Sequence, residues 1–173
     1  MPKLRGFKTA DLVSWRKRLL LRRALADAGD FGKILDLPCG DGRYWPVFRG
    51  MGVASLVAAE VSKGMLDVAS ANRLSSNYPG KLMLTSAFDI DLEDRSVDFA
   101  ACIDFYQHLK GTQEQEKLLS EFARVSRGYF ALSASIGRRT EKQFTQSGFN
   151  IERVYDLWPV LSTWRLYLLR KQH

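Results

Sequence analysis

The chain has 173 residues, 46% of them apolar and 26% charged, and a net charge of +7 at neutral pH. That length holds one domain with a substantial core; no apolar run approaches the ~20 residues of a membrane span, and the basic N-terminus lacks the apolar stretch and cleavage site of a signal peptide. Two cysteines, Cys39 and Cys102, are too few for a disulfide framework or a zinc site, so no metal is expected and both thiols read as small buried residues of a reducing, cytoplasmic compartment.

The predicted elements alternate between the two regular periods. Residues 10–28 read as a helix, with Thr9 at its N-cap and Gly29 after its end. Leu12, Trp15, Leu19 and Ala26 share one side of it at helical spacing, and that side is expected to close onto the domain. A strand over 33–38 leads into a Gly loop and a helix from about 42 to 50. LVAAE (56–60) is a short buried strand, and Ser62 caps a helix running through Leu74. LMLTS (82–86) and VDFAACI (97–103) are the third and fourth strands. Residues 112–126 form an amphipathic helix with Leu118, Leu119, Phe122 and Val125 on one face, followed by YFALSAS (129–135). A short helix over 140–147 ends at Gly148, and strands near 149–155 and 164–170 close the chain. Continuous apolar strands alternating with amphipathic helices mean a parallel sheet covered on both faces. The last two strands have no helix between them and are expected to form an antiparallel hairpin at one edge.

The stretch ILDLPCGDGRYWPVF (34–48) carries the first chemistry. A strand, a Gly turn and a helix start point N–H groups and a positive dipole end at whatever lies above the strand. Gly40 and Gly42 let backbone approach a ligand closely, and Asp36 at the strand end adds an acceptor. A ligand carrying both an ammonium and a carboxylate suits that pairing better than a pyrophosphate. Glu60 ends the next strand twenty residues after Gly40, the place and spacing of an acid that bonds ribose hydroxyls. A dinucleotide dehydrogenase shares that spacing but needs a third glycine for close helix packing; here the third position is Trp45.

DLPCGDGR resembles motif I of the class I S-adenosylmethionine-dependent methyltransferases, usually D-x-G-x-G-x-G. The likeness continues in EVSKGMLDVA (60–69), in TSAFDIDLEDRSVDFAACIDFYQHL (85–109), in LLSEFARVSRGYFALSAS (118–135) and in SGFNIERVYD (147–156). Five degenerate motifs in order at the right spacing are specific together, and they span residues 30–170. The resemblance implies a Rossmann-like, seven-stranded α/β methyltransferase sandwich, with S-adenosylmethionine as cofactor. It implies that Asp36, Pro38 and the Gly40–Gly42 backbone hold the methionine end and that Glu60 holds the ribose. Ser86, Ala87 and Phe88 would line the adenine, with Val61 as a further apolar contact, and Ile103 and Asp104 would face the sulfonium and the acceptor. Pro38 replaces the first motif glycine, and Ser86 replaces the acid that usually ends the third strand.

An O-methyl acceptor needs a base, and Asp104, Tyr106 and His108, all just past the fourth strand, are the candidates. The Asn/Asp-Pro-Pro-Tyr/Phe signature of base- and glutamine-methylating enzymes is absent; Asp104-Phe105-Tyr106-Gln107 stands in its place. The expected acceptor is a small molecule, and an anionic one suits the charge. Residues 1–25 hold eight basic residues and one acid, while the rest of the chain has 18 of each. The division is therefore a basic N-terminal cap or lid over 1–28 and a cofactor-binding domain over 29–173. The basic helix admits three further roles: collecting an anionic acceptor, lying on an anionic membrane through residues 9–25, and recruiting RNA. No nucleic-acid-binding module accompanies it. A cofactor-binding partner module without catalysis is the alternative to the enzyme, and either a monomer or a homodimer is open on the sequence.

Overall fold

The computed structural model describes residues 9–29, 31–76, 80–160 and 162–172. Lys3, Arg5 and Lys8 of the basic segment lie outside them. Helix α1 (Thr9–Ala28) precedes β1 (Lys33–Asp36), α2 (Trp45–Gly50), β2 (Ser55–Glu60), α3 (Lys63–Ser76), β3 (Gly80–Leu84) and β4 (Val97–Cys102). A single 3-10 turn, Tyr106–His108, leads to α4 (Thr112–Val125), β5 (Ser126–Ser135), α5 (Arg138–Gln146), β6 (Phe149–Asp156) and β7 (Trp164–Lys171).

The seven strands form one sheet in the order β3-β2-β1-β4-β5-β7-β6. All pairs from β3 to β5 are parallel, while β7 pairs antiparallel with both β5 and β6. The expected closing hairpin is present, with β7 inserted between β5 and the edge strand β6. Strand side chains alternate between two cores. Leu35, Val57 and Ala100 face the layer of α4 and α5, where Phe130 stacks on Phe122 at 4.5 Å and meets Phe149 at 5.9 Å. Ile34, Leu56, Ala58 and Phe99 face α1, α2 and α3. The α4 stripe predicted from the sequence is buried in full.

Two expectations are corrected. The helix after the Gly loop begins at Trp45 and has six residues, so the loop is not itself a helix N-terminus. The third strand ends at Leu84, and Thr85–Asp89 form a turn in which Ser86 and Asp89 pair.

The larger correction concerns α1. Its buried residues are Leu20, Leu21, Ala24 and Leu25. The stripe expected to face inward is the outer one: Leu12 is 42% and Trp15 51% exposed, and Ala26 is exposed. Successive helical residues turn by about 100°, so Leu19-Leu20-Leu21 places leucines over more than half the circumference. The periodicity admitted two apolar faces, and the packing partners chose the other one.

Phe130→Ala removes the ring shared by α4, β5 and β6, and is expected to lower unfolding stability by about 3–5 kcal/mol in denaturant titrations.

Candidate functional site

Strand order reverses between β1 and β4, the place where sheets of this kind bind ligands beyond the strand ends. The loops leaving these two strands enclose a cleft of about 250 Å³. The first loop contributes Pro38, Cys39, Gly40, Arg43 and Tyr44; Glu60 comes from β2, and Ile103 and Asp104 follow β4. The Leu37–Pro38 peptide is cis, and Gly40 and Gly42 sit in the left-handed region at φ 53° and 81°. A Cβ on Gly42 would lie 2.7 Å from the Trp45 ring. The indole therefore occupies the room that a third motif glycine would leave, and Gly42 is required beside it. Trp45 is 3% exposed, and its Nε1 donates to Asp36 Oδ2 at 3.1 Å.

Asp36 is 1% exposed and stands behind the cleft wall rather than in it. Burial pushes its carboxyl up to about 7, against the Trp45 bond, with the Glu60 and Asp41 charges adding to the rise. Its Oδ1 is buried without a hydrogen-bond partner. Glu60 bridges β2 to the loop: Oε2 accepts from Gly40 N at 3.2 Å, and Oε1 accepts from Val61 N and Ser62 N at 3.0 and 3.1 Å. The Gly42 N–H donates to the Cys39 carbonyl at 3.0 Å. Two loop donors expected to serve a ligand thus serve the protein. What remains is acceptor capacity: a carboxylate oxygen takes two bonds, Glu60 Oε2 has one, and Asp36 Oδ1 has none.

The opposite wall is built on Asp104. Its carboxylate accepts from Lys17 Nζ of α1 at 2.6 Å, from the Tyr44 hydroxyl at 2.8 Å and from Trp164 Nε1 of β7 at 2.8 Å. Its own N–H donates to Ser133 Oγ of β5 at 2.6 Å, and its φ is 61°. Burial raises the Asp104 carboxyl, but the Lys17, Tyr44 and Trp164 bonds outweigh it and hold the group below the ordinary carboxylate value. The Lys17 ammonium also lies 4.9 Å from the Trp164 ring centroid. Next to it, Arg16 Nε donates to the Leu157 carbonyl, and its guanidinium lies over Trp158.

The three base candidates do not converge. Asp104 lines the cleft but is held ionised by its three donors, which makes it a poor proton acceptor. Tyr106 is 2% exposed, turns into the core against Phe144 and donates to Gln143 Oε1 at 2.9 Å. His108 is exposed on the 3-10 turn and does not line the cleft. The 3-10 turn separates Tyr106 from His108: at about 120° per residue, side chains two positions apart leave it in different directions. Val61 is 65% exposed beside Glu60; Ala87 is buried, and Phe88 is half-buried against Phe105. None of these three, nor Ser86, lines the cleft itself, whereas Pro38 and Ile103 do. Arg139 Nη2 donates to Thr112 Oγ1 of α4. The sequence reading missed Lys17, Tyr44 and Trp164. Lys17 is one of eight similar basic residues, and Trp164 lies 60 residues from Asp104. Tyr44 carried a usable signal, standing two residues after Gly42 in the motif loop.

Residues 35–132 match the model of the methyltransferase domain family. The chain belongs to that family, whose methyl donor is S-adenosylmethionine. No curated protein matches the sequence significantly. Among solved structures it is similar to an S-adenosylmethionine-dependent methyltransferase of Clostridium acetobutylicum, with TM-score 0.78, 13% identity, and 94% and 93% of the two chains covered. It is similar to the magnesium protoporphyrin IX methyltransferase of Synechocystis with S-adenosylmethionine bound (TM-score 0.74, 16% identity, 98% and 88% covered). It also resembles an S-adenosylmethionine-dependent methyltransferase of Aquifex aeolicus (TM-score 0.69, 17% identity, 95% and 98% covered). At these identities the likeness establishes the fold.

Asn tolerates the left-handed conformation of residue 104 but carries no charge. Asp104→Asn is expected to lose about 1.5–3 kcal/mol, and a thermodynamic cycle with Lys17→Met should recover most of that as coupling. Because the Asp104 carboxyl is held below its ordinary 3.8, this contribution is present above about pH 4 and disappears as pH falls further. Denaturant titrations at pH 7 and pH 3 check both statements.

Proposed function

We propose that the protein methylates a small anionic acceptor at this cleft, and that the acceptor arrives with its nucleophile already deprotonated. The observation that carries this reading is the chemistry of the cleft lining. Burial pushes the Cys39 thiol and the Tyr44 hydroxyl far up, so both stay protonated at neutral pH. Asp104 is pulled down by its three donors, and Glu60 is engaged by three backbone N–H groups. Cys39, Tyr44 and Asp104 are therefore not poised near pH 7 to take a proton. A carboxylate or another preformed anion needs no base, and its approach along a fixed line supplies most of the acceleration.

In this reading the residues divide as follows. When bound, S-adenosylmethionine supplies an electrophilic methyl on a sulfonium. The buried Asp36 carboxylate faces the ammonium end from behind the Gly40–Gly42 loop, and its unpartnered Oδ1 fits that role. Glu60 Oε2 has acceptor capacity for a ribose hydroxyl. Ser86, Ala87, Phe88 and Val61 flank the adenine side, and Pro38 and Ile103 wall the cleft between them. Lys17 and Tyr44, fixed on Asp104, form the acceptor-side wall, so α1 takes the part of the lid. The basic α1 draws anions toward the mouth.

Asp36 must be ionised to meet an ammonium, and its carboxyl stands at about 7 in the free protein. S-adenosylmethionine affinity measured by titration calorimetry is therefore expected to fall by up to about tenfold per pH unit below pH 7 and to level off above pH 8. In Asp36→Asn binding weakens and this slope flattens. Turnover against pools of small carboxylates and other anions should give the methylated product by mass spectrometry. Donor binding with no turnover on any anion would overturn the acceptor reading.

A further inference from the structure

Among the described residues nothing covers the outer face of α1, although it holds the stripe that the sequence marks as apolar. Trp15 and Leu12 are 51% and 42% exposed, and Leu19 is half-buried between them and the body of the domain. Trp15 and Leu19 form a groove of about 290 Å³ with Pro46, Val47 and Gly50 of α2. Arg18 and Arg22 rim the same groove, and Arg23 is exposed beside them. Neither Arg22 nor Arg23 forms an ion pair among the described residues. Residues 1–25, which include this face together with Lys3, Arg5 and Lys8, carry the whole net charge of +7, because the 18 basic and 18 acidic residues after them cancel.

We infer that this face is a docking surface for an anionic lipid bilayer, with the helix lying in the headgroup plane. The chemistry of the stripe selects that partner. On the outer face of this 20-residue helix, an exposed tryptophan and leucine beside arginines offer apolar side chains for the acyl boundary and cations for lipid phosphates. An RNA surface would ask for several aromatic stacking platforms, and this face offers one aromatic beside aliphatic Leu12, Leu19 and Val47. The inner face of the same helix, through Lys17 and Leu20–Leu25, stays packed on the domain. Docking therefore needs no unfolding and does not depend on how the acceptor is recognised.

The test is co-sedimentation of the full chain with phosphatidylglycerol vesicles and with phosphatidylcholine vesicles. Binding is expected to the anionic vesicles only and to weaken with salt. Trp15→Glu and the pair Arg22→Glu/Arg23→Glu should each reduce it by about tenfold or more, while Lys142→Glu on the exposed side of α5 should change it little. Circular dichroism and S-adenosylmethionine affinity should be unchanged in all four proteins, which separates loss of docking from loss of fold. Equal binding to both vesicle types, or none to either, would overturn the inference. So would tighter binding to an RNA oligomer than to anionic vesicles, or a dimer that Trp15→Glu dissolves.

Discussion

One carboxylate holds the cleft together. Asp104 collects an ammonium from α1, a phenol from the Gly loop and an indole from β7, while its backbone is fixed by a β5 hydroxyl. These elements are far apart in sequence, since α1 precedes the sheet and β7 follows every other strand, and they also share the core of Leu20, Leu21, Tyr44 and Leu166. Charge-assisted bonds are roughly twice as strong as neutral ones, and here they converge on a partly buried group where water competes poorly. The left-handed backbone at residue 104 stores about 1–3 kcal/mol of strain. That conformation turns the carboxylate toward its donors.

The same arrangement bears on the proposed chemistry. The bonds that tie Asp104 to three elements hold it ionised, so it is a poor proton shuttle. In the proposed reading the catalytic work falls to geometry, with the cleft holding a donor and a nucleophile that is already deprotonated. The Trp45–Asp36 bond acts similarly on the other side. It fixes one carboxylate oxygen, leaves the second without a partner and requires Gly42 to lie against the indole.

Much of the fold was legible because strand periodicity, α4 amphipathicity and the ordered motifs all point the same way. The family was legible in DLPCGDGR with Glu60, whose acid and glycines answer to backbone requirements that sequence displays directly. The α1 face was not, since Leu19-Leu20-Leu21 offers two apolar sides and only the tertiary neighbours discriminate. Nor were the roles of Asp104, Tyr106 and His108. Proximity in sequence placed them together, whereas a 3-10 turn sends Tyr106 to the core and His108 to solvent. Trp164 and Lys17 bond across the fold, and no local pattern records such a contact.

The central claim is that Asp104 ties α1 to the cleft wall. Hydrogen exchange of the α1 amides in the wild type and in Asp104→Asn tests it most directly. The account predicts that residues 12–22 exchange markedly faster in the variant while β1, β2 and β4 keep their protection. Unchanged α1 protection, or equal loss across the whole sheet, would contradict it.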